Sequence, residues 1–128
     1  MIPRTKDYEE QDVMPTVQAI VNALAQGDLD RIPTLVDDMG SYKPEWLQQM
    51  REHIVEETGG IDVYGVPCTF RPNYEYKQLR FYPFTDGSGM ACEYALTVSG
   101  DLNDWTLLLR FYYEGDSIRV EFEDLHIL

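Results

Sequence analysis

Few side chains in this sequence are both chemically reactive and located in a predicted helix or strand that would fix their position. Asp62 and Tyr64 stand two residues apart, and Tyr76 follows within a tyrosine-rich stretch. An acid grouped with hydroxyls is the kind of set that isomerases use for proton transfer. His53 lies in a helical stretch and could act as a general base at a pocket mouth. The candidate pocket therefore consists of His53, Asp62, Tyr64 and Tyr76.

Each of these residues also has a purely structural interpretation, and the sequence favours it. A lone histidine on a helix is more often a partly exposed packing residue, and sheet tyrosines commonly send their hydroxyls to water. No glycine-rich phosphate loop, nucleophile elbow, His-Glu-x-x-His or paired-carboxylate motif occurs in the sequence. We therefore assign no catalytic residue, and we expect a non-enzymatic protein.

The cysteines and histidines lack the spacing of a metal site. The chain has two cysteines, Cys68 and Cys92, and two histidines, His53 and His126. They are too scattered for a zinc site and too few for a disulfide framework. His126 shares the strand parity of Val120 but stands near the chain end. We expect buried free thiols, no metal and no cofactor.

The strongest compositional feature is an excess of acid. The chain has 23 Asp and Glu against 10 Lys and Arg, a formal net charge of −13. Such a field repels nucleic-acid phosphates and anionic lipid, and it attracts basic proteins. We expect a basic protein partner, with no direct nucleic-acid or membrane contact. The alternative is that these acids form an ordinary solvated surface.

Apolar residues at helical spacing occupy the first half of the chain. A first helix is predicted over about 12–26, with Asp12 as its N-cap and Gly27 at its end. A second is predicted to end near Gly40, and a third runs from about 44 to Gly59. The apolar positions of the three are Val13, Val17, Ile20, Val21 and Leu24, then Ile32, Leu35, Val36 and Met39, then Trp46, Leu47, Met50 and Ile54.

From residue 61 onward the apolar period changes to two, which predicts strands. A short strand is predicted over 61–66 and another over 74–84, followed by three longer strands joined by tight turns. The predicted fold class is α+β, with three N-terminal helices packed on a curved antiparallel sheet of about four to five strands. We expect one domain over 1–128, with a polar lead-in (1–10), a helical part (11–58) and a sheet part (61–128).

The run from Val17 to Val36 resembles the opening of the nuclear transport factor 2-like, or cone-fold, superfamily. Members begin with a helix, a Gly-Asp step and two further helices, and then wrap a curved antiparallel sheet around them. The end of the chain, Ile118 to Leu128, resembles small uncharacterised bacterial domains. The superfamily includes isomerases, dehydratases, ligand carriers and dimerisation modules, so the resemblance implies a cone-like fold without one function.

Acidic residues, with an interleaved tyrosine and arginine, recur on the predicted outer parity of the sheet. They are Glu93, Arg110, Tyr112, Glu121 and Glu123, opposite in parity to the apolar positions. Such a surface suits the capture of a basic protein, because aromatic residues are favoured at interfaces. Small, acidic, catalytically empty bacterial immunity proteins, which neutralise a toxin by occluding its active site, have this character.

An immunity or inhibitor protein is therefore the leading hypothesis. A cone-fold ligand-binding protein, or an isomerase- or dehydratase-like enzyme, predicts instead a deep apolar pocket. A homodimerisation module predicts pairing through the open sheet face. The start of the sequence does not resemble a signal peptide, and no apolar run approaches about 20 residues, so we expect a cytoplasmic protein.

Overall fold

The computed structural model describes residues 1–66 and 78–127, and these residues form an α+β fold with helices first and an antiparallel sheet second. The elements are β1 (Ile2–Pro3), α1 (Glu9–Gln26), a 3-10 turn (Leu29–Arg31), α2 (Ile32–Leu35), α3 (Trp46–Thr58), β2 (Leu79–Pro83), β3 (Gly89–Val98), β4 (Asp101–Glu114) and β5 (Ser117–Ile127). The predicted fold class is confirmed. Within the described residues, no helix has the length and apolar character needed to cross a membrane.

The sheet has the strand order β1-β5-β4-β3-β2, and every pair is antiparallel. Two-residue turns at Ser99–Gly100 and Gly115–Asp116 join β3, β4 and β5 into the predicted meander. Ser99 and Gly100 both have positive φ, 52° and 81°, which matches the right-handed twist of paired strands. Register shifts between Ala95 and Thr97, and between Leu108 and Leu109, accompany the curl of the sheet.

The apolar stripe of α1 packs on the inner face of the sheet. Val13, Val17, Ile20, Val21 and Leu24 are all fully buried, as their spacing predicts. The buried residues opposite include Cys92 and Leu96 on β3, Leu109 and Phe111 on β4, and Val120 and Phe122 on β5. Burying one such side chain stabilises the fold by about 1.5–3 kcal/mol, so this interface dominates the energetics.

The first helix begins earlier than predicted. It starts at Glu9, so the prediction of Asp12 as N-cap is wrong. The Asp12 carboxylate instead accepts hydrogen bonds from the Thr5 backbone N–H (2.8 Å) and the Thr5 hydroxyl (3.1 Å). The Tyr8 N–H donates to the Thr5 hydroxyl at 3.3 Å, which ties the lead-in to the first turn. Gly27 ends the helix in the left-handed conformation (φ 76°), as predicted.

The prediction that the second helix continues to about Gly40 is wrong, because the helix ends at Leu35. The α2 helix has four residues, and the chain becomes extended at Val36. The N–H groups of Asp37 and Asp38 both donate to the Val120 carbonyl, at 2.9 and 3.1 Å, and Phe122 N–H donates to the Asp38 backbone carbonyl at 2.8 Å. Pairing with the β5 edge therefore replaces the helical hydrogen bonds of this segment.

Two further predictions need correction at the sheet margins. The strand predicted over 61–66 does not form, and Asp62 N–H donates instead to the Thr97 carbonyl at 2.8 Å. The lead-in supplies a short strand, because Ile2 pairs with Ile118. The strand predicted over 74–84 is present at Leu79–Pro83, and its residues 74–77 lie outside the described residues.

Arg51 of α3 joins the first and third helices, and its loss should destabilise the fold. Its Nε donates to the Leu24 carbonyl (2.6 Å) and its Nη2 to the Ala25 carbonyl (3.0 Å) at the end of α1. Both carbonyls lie in the last turn of α1, and the Leu24 carbonyl otherwise accepts a long hydrogen bond of 3.4 Å from Gly27 N–H. Arg51→Ala should therefore cost about 1.5–3 kcal/mol of unfolding free energy in urea titrations. The exposed Arg31→Ala control should change it by less than about 0.5 kcal/mol. Equal effects of the two substitutions would contradict this role.

Candidate functional site

Five residues that strand parity assigns to the outer face of the sheet lie on that face. Glu93 comes from β3, Arg110 and Tyr112 from β4, and Glu121 and Glu123 from β5. Arg110 is the direct cross-strand partner of Glu121. Because the alternate residues of each strand are buried under α1, these side chains project away from the helices. We call these five residues the acidic face.

Ion pairs organise the acidic face. Arg110 Nη2 lies 2.7 Å from Glu123 Oε1, and this hydrogen bond raises the pKa of Arg110. Arg119, next to it on β5, lies 2.8 Å from Glu114 and 3.9 Å from Glu121. Its guanidinium also lies 4.5 Å from the Tyr112 ring centroid. The face is therefore an alternating array of carboxylates and arginines and not a purely negative surface.

An aromatic cleft adjoins the acidic face at β2. Tyr82, Phe84 and Tyr112 line an open cleft of about 510 Å³ with Arg110. The Phe84 and Tyr112 ring centroids are 5.7 Å apart, and the Tyr82 hydroxyl lies 3.4 Å from Glu93 Oε2. Sequence reasoning missed Tyr82 as a surface residue of this site, although alternation within its strand gives it the outward parity.

His53 lies on the exposed side of α3. Its Nε2 is 3.1 Å from Glu57 Oε2, and its side chain is 61% exposed. Its ring meets Trp105 edge-on at 5.7 Å, at the rim of an open pocket that also includes Trp46 and Met50. Asp62 and Tyr64 are not among the residues that line this pocket.

Asp62 serves as a structural acceptor. Its carboxylate accepts the Thr97 hydroxyl (2.8 Å), the Ser99 N–H (2.9 Å) and the Gly100 N–H (2.9 Å). Burial acts to raise its pKa, but the hydrogen bonds from Gly100, Thr97 and Ser99 outweigh it and hold the pKa below its usual value. Asp62 therefore clamps the β3–β4 turn as a carboxylate.

Tyr64 is also engaged in packing. Its ring stacks on Tyr94 with centroids 5.1 Å apart, and its N–H donates to Asn22 Oδ1 at 2.8 Å. Burial raises the pKa of Tyr64 and of Tyr94. Tyr76, the fourth residue of the candidate pocket, lies outside the described residues, as does Cys68. The structure thus places Asp62 and Tyr64 near the sheet end and His53 in a separate pocket.

Cys92 is buried in the core, and His126 contacts a neighbouring carboxylate on β5. Cys92 is 1% exposed, and burial raises the pKa of its thiol to about 12, as expected for a buried free thiol. The shift between Leu108 and Leu109 reverses the parity predicted for His126, so Leu125 is buried instead. His126 Nδ1 lies 2.8 Å from Asp124. No three His, Cys, Asp or Glu side chains among the described residues could hold a metal together.

The comparisons with known proteins identify a family. A model described as a domain of unknown function (DUF7668) matches residues 21–128, and the chain belongs to this family. The search of curated proteins and the search of solved structures each found no match. The description of the family assigns no activity and no partner.

The clamp formed by Asp62 predicts a pH-dependent stability difference. Asp62→Asn removes charged acceptor capacity and should lower the free energy of unfolding by about 1–3 kcal/mol near neutral pH. Because the folded-state pKa is lowered, the contribution is present above the unfolded value of about 3.9 and is lost as pH falls through the folded pKa. Thermal unfolding should show the same stability difference between wild type and Asp62→Asn at pH 7 and pH 5, and a smaller difference at pH 3.

The exposed Asp30→Asn variant is the matched control, since it removes the same charge from the 3-10 turn. It should unfold like the wild type near neutral pH. A gap between wild type and Asp62→Asn that stays constant down to pH 3 would contradict the clamp.

Proposed function

We propose that this chain is a non-catalytic binding domain whose acidic face captures a basic protein. The observation that carries the proposal is the position of Glu93, Glu121 and Glu123 on one sheet face, opposite the face that α1 buries. Tyr82 and Tyr112 lie beside these carboxylates and supply aromatic contact area. Acid and aromatic groups together suit a partner rich in Lys and Arg.

The arginines of the face do not prevent such binding. Pairs such as Arg110–Glu123 have side chains 42% and 30% exposed, and exposed ion pairs contribute about 0–1 kcal/mol. A cationic group of a partner can therefore replace an arginine at little cost. The net charge of −13 would steer a basic partner toward the chain and speed encounter.

Within this proposal, we favour an immunity or inhibitor protein that neutralises a basic bacterial toxin by occluding its active site. A toxin that acts on a nucleic acid or nucleotide needs a basic site, and an acidic face complements it. The assignment of Asp62 and Tyr64 to packing supports a binding function over proton-transfer chemistry. We also propose a relationship to the cone fold, which the order of the helices and the curved sheet supports.

A cone-fold ligand-binding or enzymatic role is the second candidate. A groove of about 610 Å³ between α1 and β2 supports it, lined by Met14, Leu79 and Phe81 with Glu10 at its wall. This volume falls within the usual range for small-molecule sites. A homodimer through the acidic face is the third candidate, and the partner-capture experiment below separates it from the first two.

The tagged protein should retain one stoichiometric basic polypeptide from lysate of its native host. Retention should persist from about 50 to 150 mM salt, because salt screens long-range electrostatic attraction more than it weakens short-range contacts. The double variant Glu121→Lys/Glu123→Lys should weaken retention at least about tenfold, because close charge reversal costs several kcal/mol. Mass spectrometry and binding isotherms measure both effects.

The control is Glu52→Lys/Glu56→Lys, which makes the same net-charge change on exposed positions of α3. It should retain the partner nearly as well as wild type. Equal weakening by the two double variants would show a non-specific charge effect and contradict the acidic face. Recovery of the protein alone or as its own dimer would favour the second or third candidate.

A further inference from the structure

Both tryptophans of the chain line one pocket, on the helix side of the sheet. Trp46, Gln49, Met50 and His53 of α3 face Trp105 of β4 across an open cavity of about 300 Å³. Trp105 belongs to the buried side of β4, whereas the acidic face lies on the other side. The pocket is thus separate from the surface of the proposed function.

Its aromatic walls are fixed by the core. Trp46 meets Tyr42 edge-on at 5.4 Å, and Tyr42 in turn packs on the buried Phe122 ring at 5.1 Å. Trp105 is 7% exposed and is held edge-on by His53 at 5.7 Å. Trp46 nevertheless remains 42% exposed, which leaves aromatic surface open to a ligand. The site is therefore largely preformed, as ligand pockets usually are.

The Trp46 ring already contacts a cation, and a carboxylate lies near the rim of the pocket. The Lys43 ammonium lies 5.7 Å from the Trp46 ring centroid, so this ring already attracts a cation of the chain itself. The Glu57 carboxylate, 3.1 Å from His53 Nε2, places negative charge near the rim. Indole faces carry the negative side of the ring quadrupole and bind cations best among the aromatic side chains.

We propose that this pocket binds a quaternary ammonium group, such as the trimethylammonium head of choline. A primary ammonium is strongly hydrated and needs hydrogen-bond acceptors. The pocket offers only two polar side chains among the described residues, Gln49 and His53. A methylated ammonium needs no acceptor and buries its methyl groups against the indoles. The volume, at the small end of ligand sites, suits one such head group.

Tryptophan fluorescence reports on this site directly, because the chain has no tryptophan elsewhere. The wild-type protein is titrated with choline chloride and, separately, with 3,3-dimethylbutan-1-ol, which replaces the charged nitrogen by carbon. Sodium chloride holds ionic strength equal throughout. Choline should give a saturable change with an affinity about tenfold or more above that of the neutral isostere. Equal affinities, or no saturable response to choline, would overturn the proposal.

Two substitutions add an independent test. Trp46→Ala should abolish the choline response while Trp105 remains as the reporter, and the exposed Val63→Ala should leave the response unchanged. Lys43→Gln, at an exposed position, should tighten choline binding several-fold by removing a competing cation. Weaker binding by Lys43→Gln would overturn the cation assignment, even if Trp46→Ala failed to fold.

Discussion

The burial of the α1 stripe against the inner face of the curled sheet is the constraint on which the rest of the structure depends. Val17, Ile20 and Leu24 have no exposed surface, and the facing strands must present their apolar residues on one side to cover them. That requirement leaves the alternate residues of β3, β4 and β5 on the opposite side. The acidic face is therefore a direct consequence of how the core is formed.

The parts predicted from sequence are those in which the local pattern agrees with the final packing. The α1 stripe and the meander of β3 to β5 follow from periods of 3.6 and two, which the chain carries over many residues. Of the five strands in the described part of the chain, four, including β2, lie within predicted sheet regions. The orientation of Glu93 and Arg110 followed from the same alternation.

The parts that could not be predicted depend on contacts between distant residues. The helix predicted beyond Leu35 gives way to pairing of Asp37 and Asp38 with β5, more than 80 residues away. His126 changes side because of one bulge, and no local signal marks it. Asp62 has the residue type of a catalytic acid, and only its contacts with Thr97, Ser99 and Gly100 reveal a structural role.

The proposed function requires that a partner protein cover the acidic face. Carbodiimide labelling of carboxylates, measured residue by residue with mass spectrometry, tests it before the partner is known. The tagged protein is labelled in native-host lysate and, at the same salt concentration, after purification. We expect Glu93, Glu121 and Glu123 to label less in lysate, while Glu52 and Glu56 of α3 label equally in both. Equal labelling of all five, or protection confined to α3, would contradict the claim.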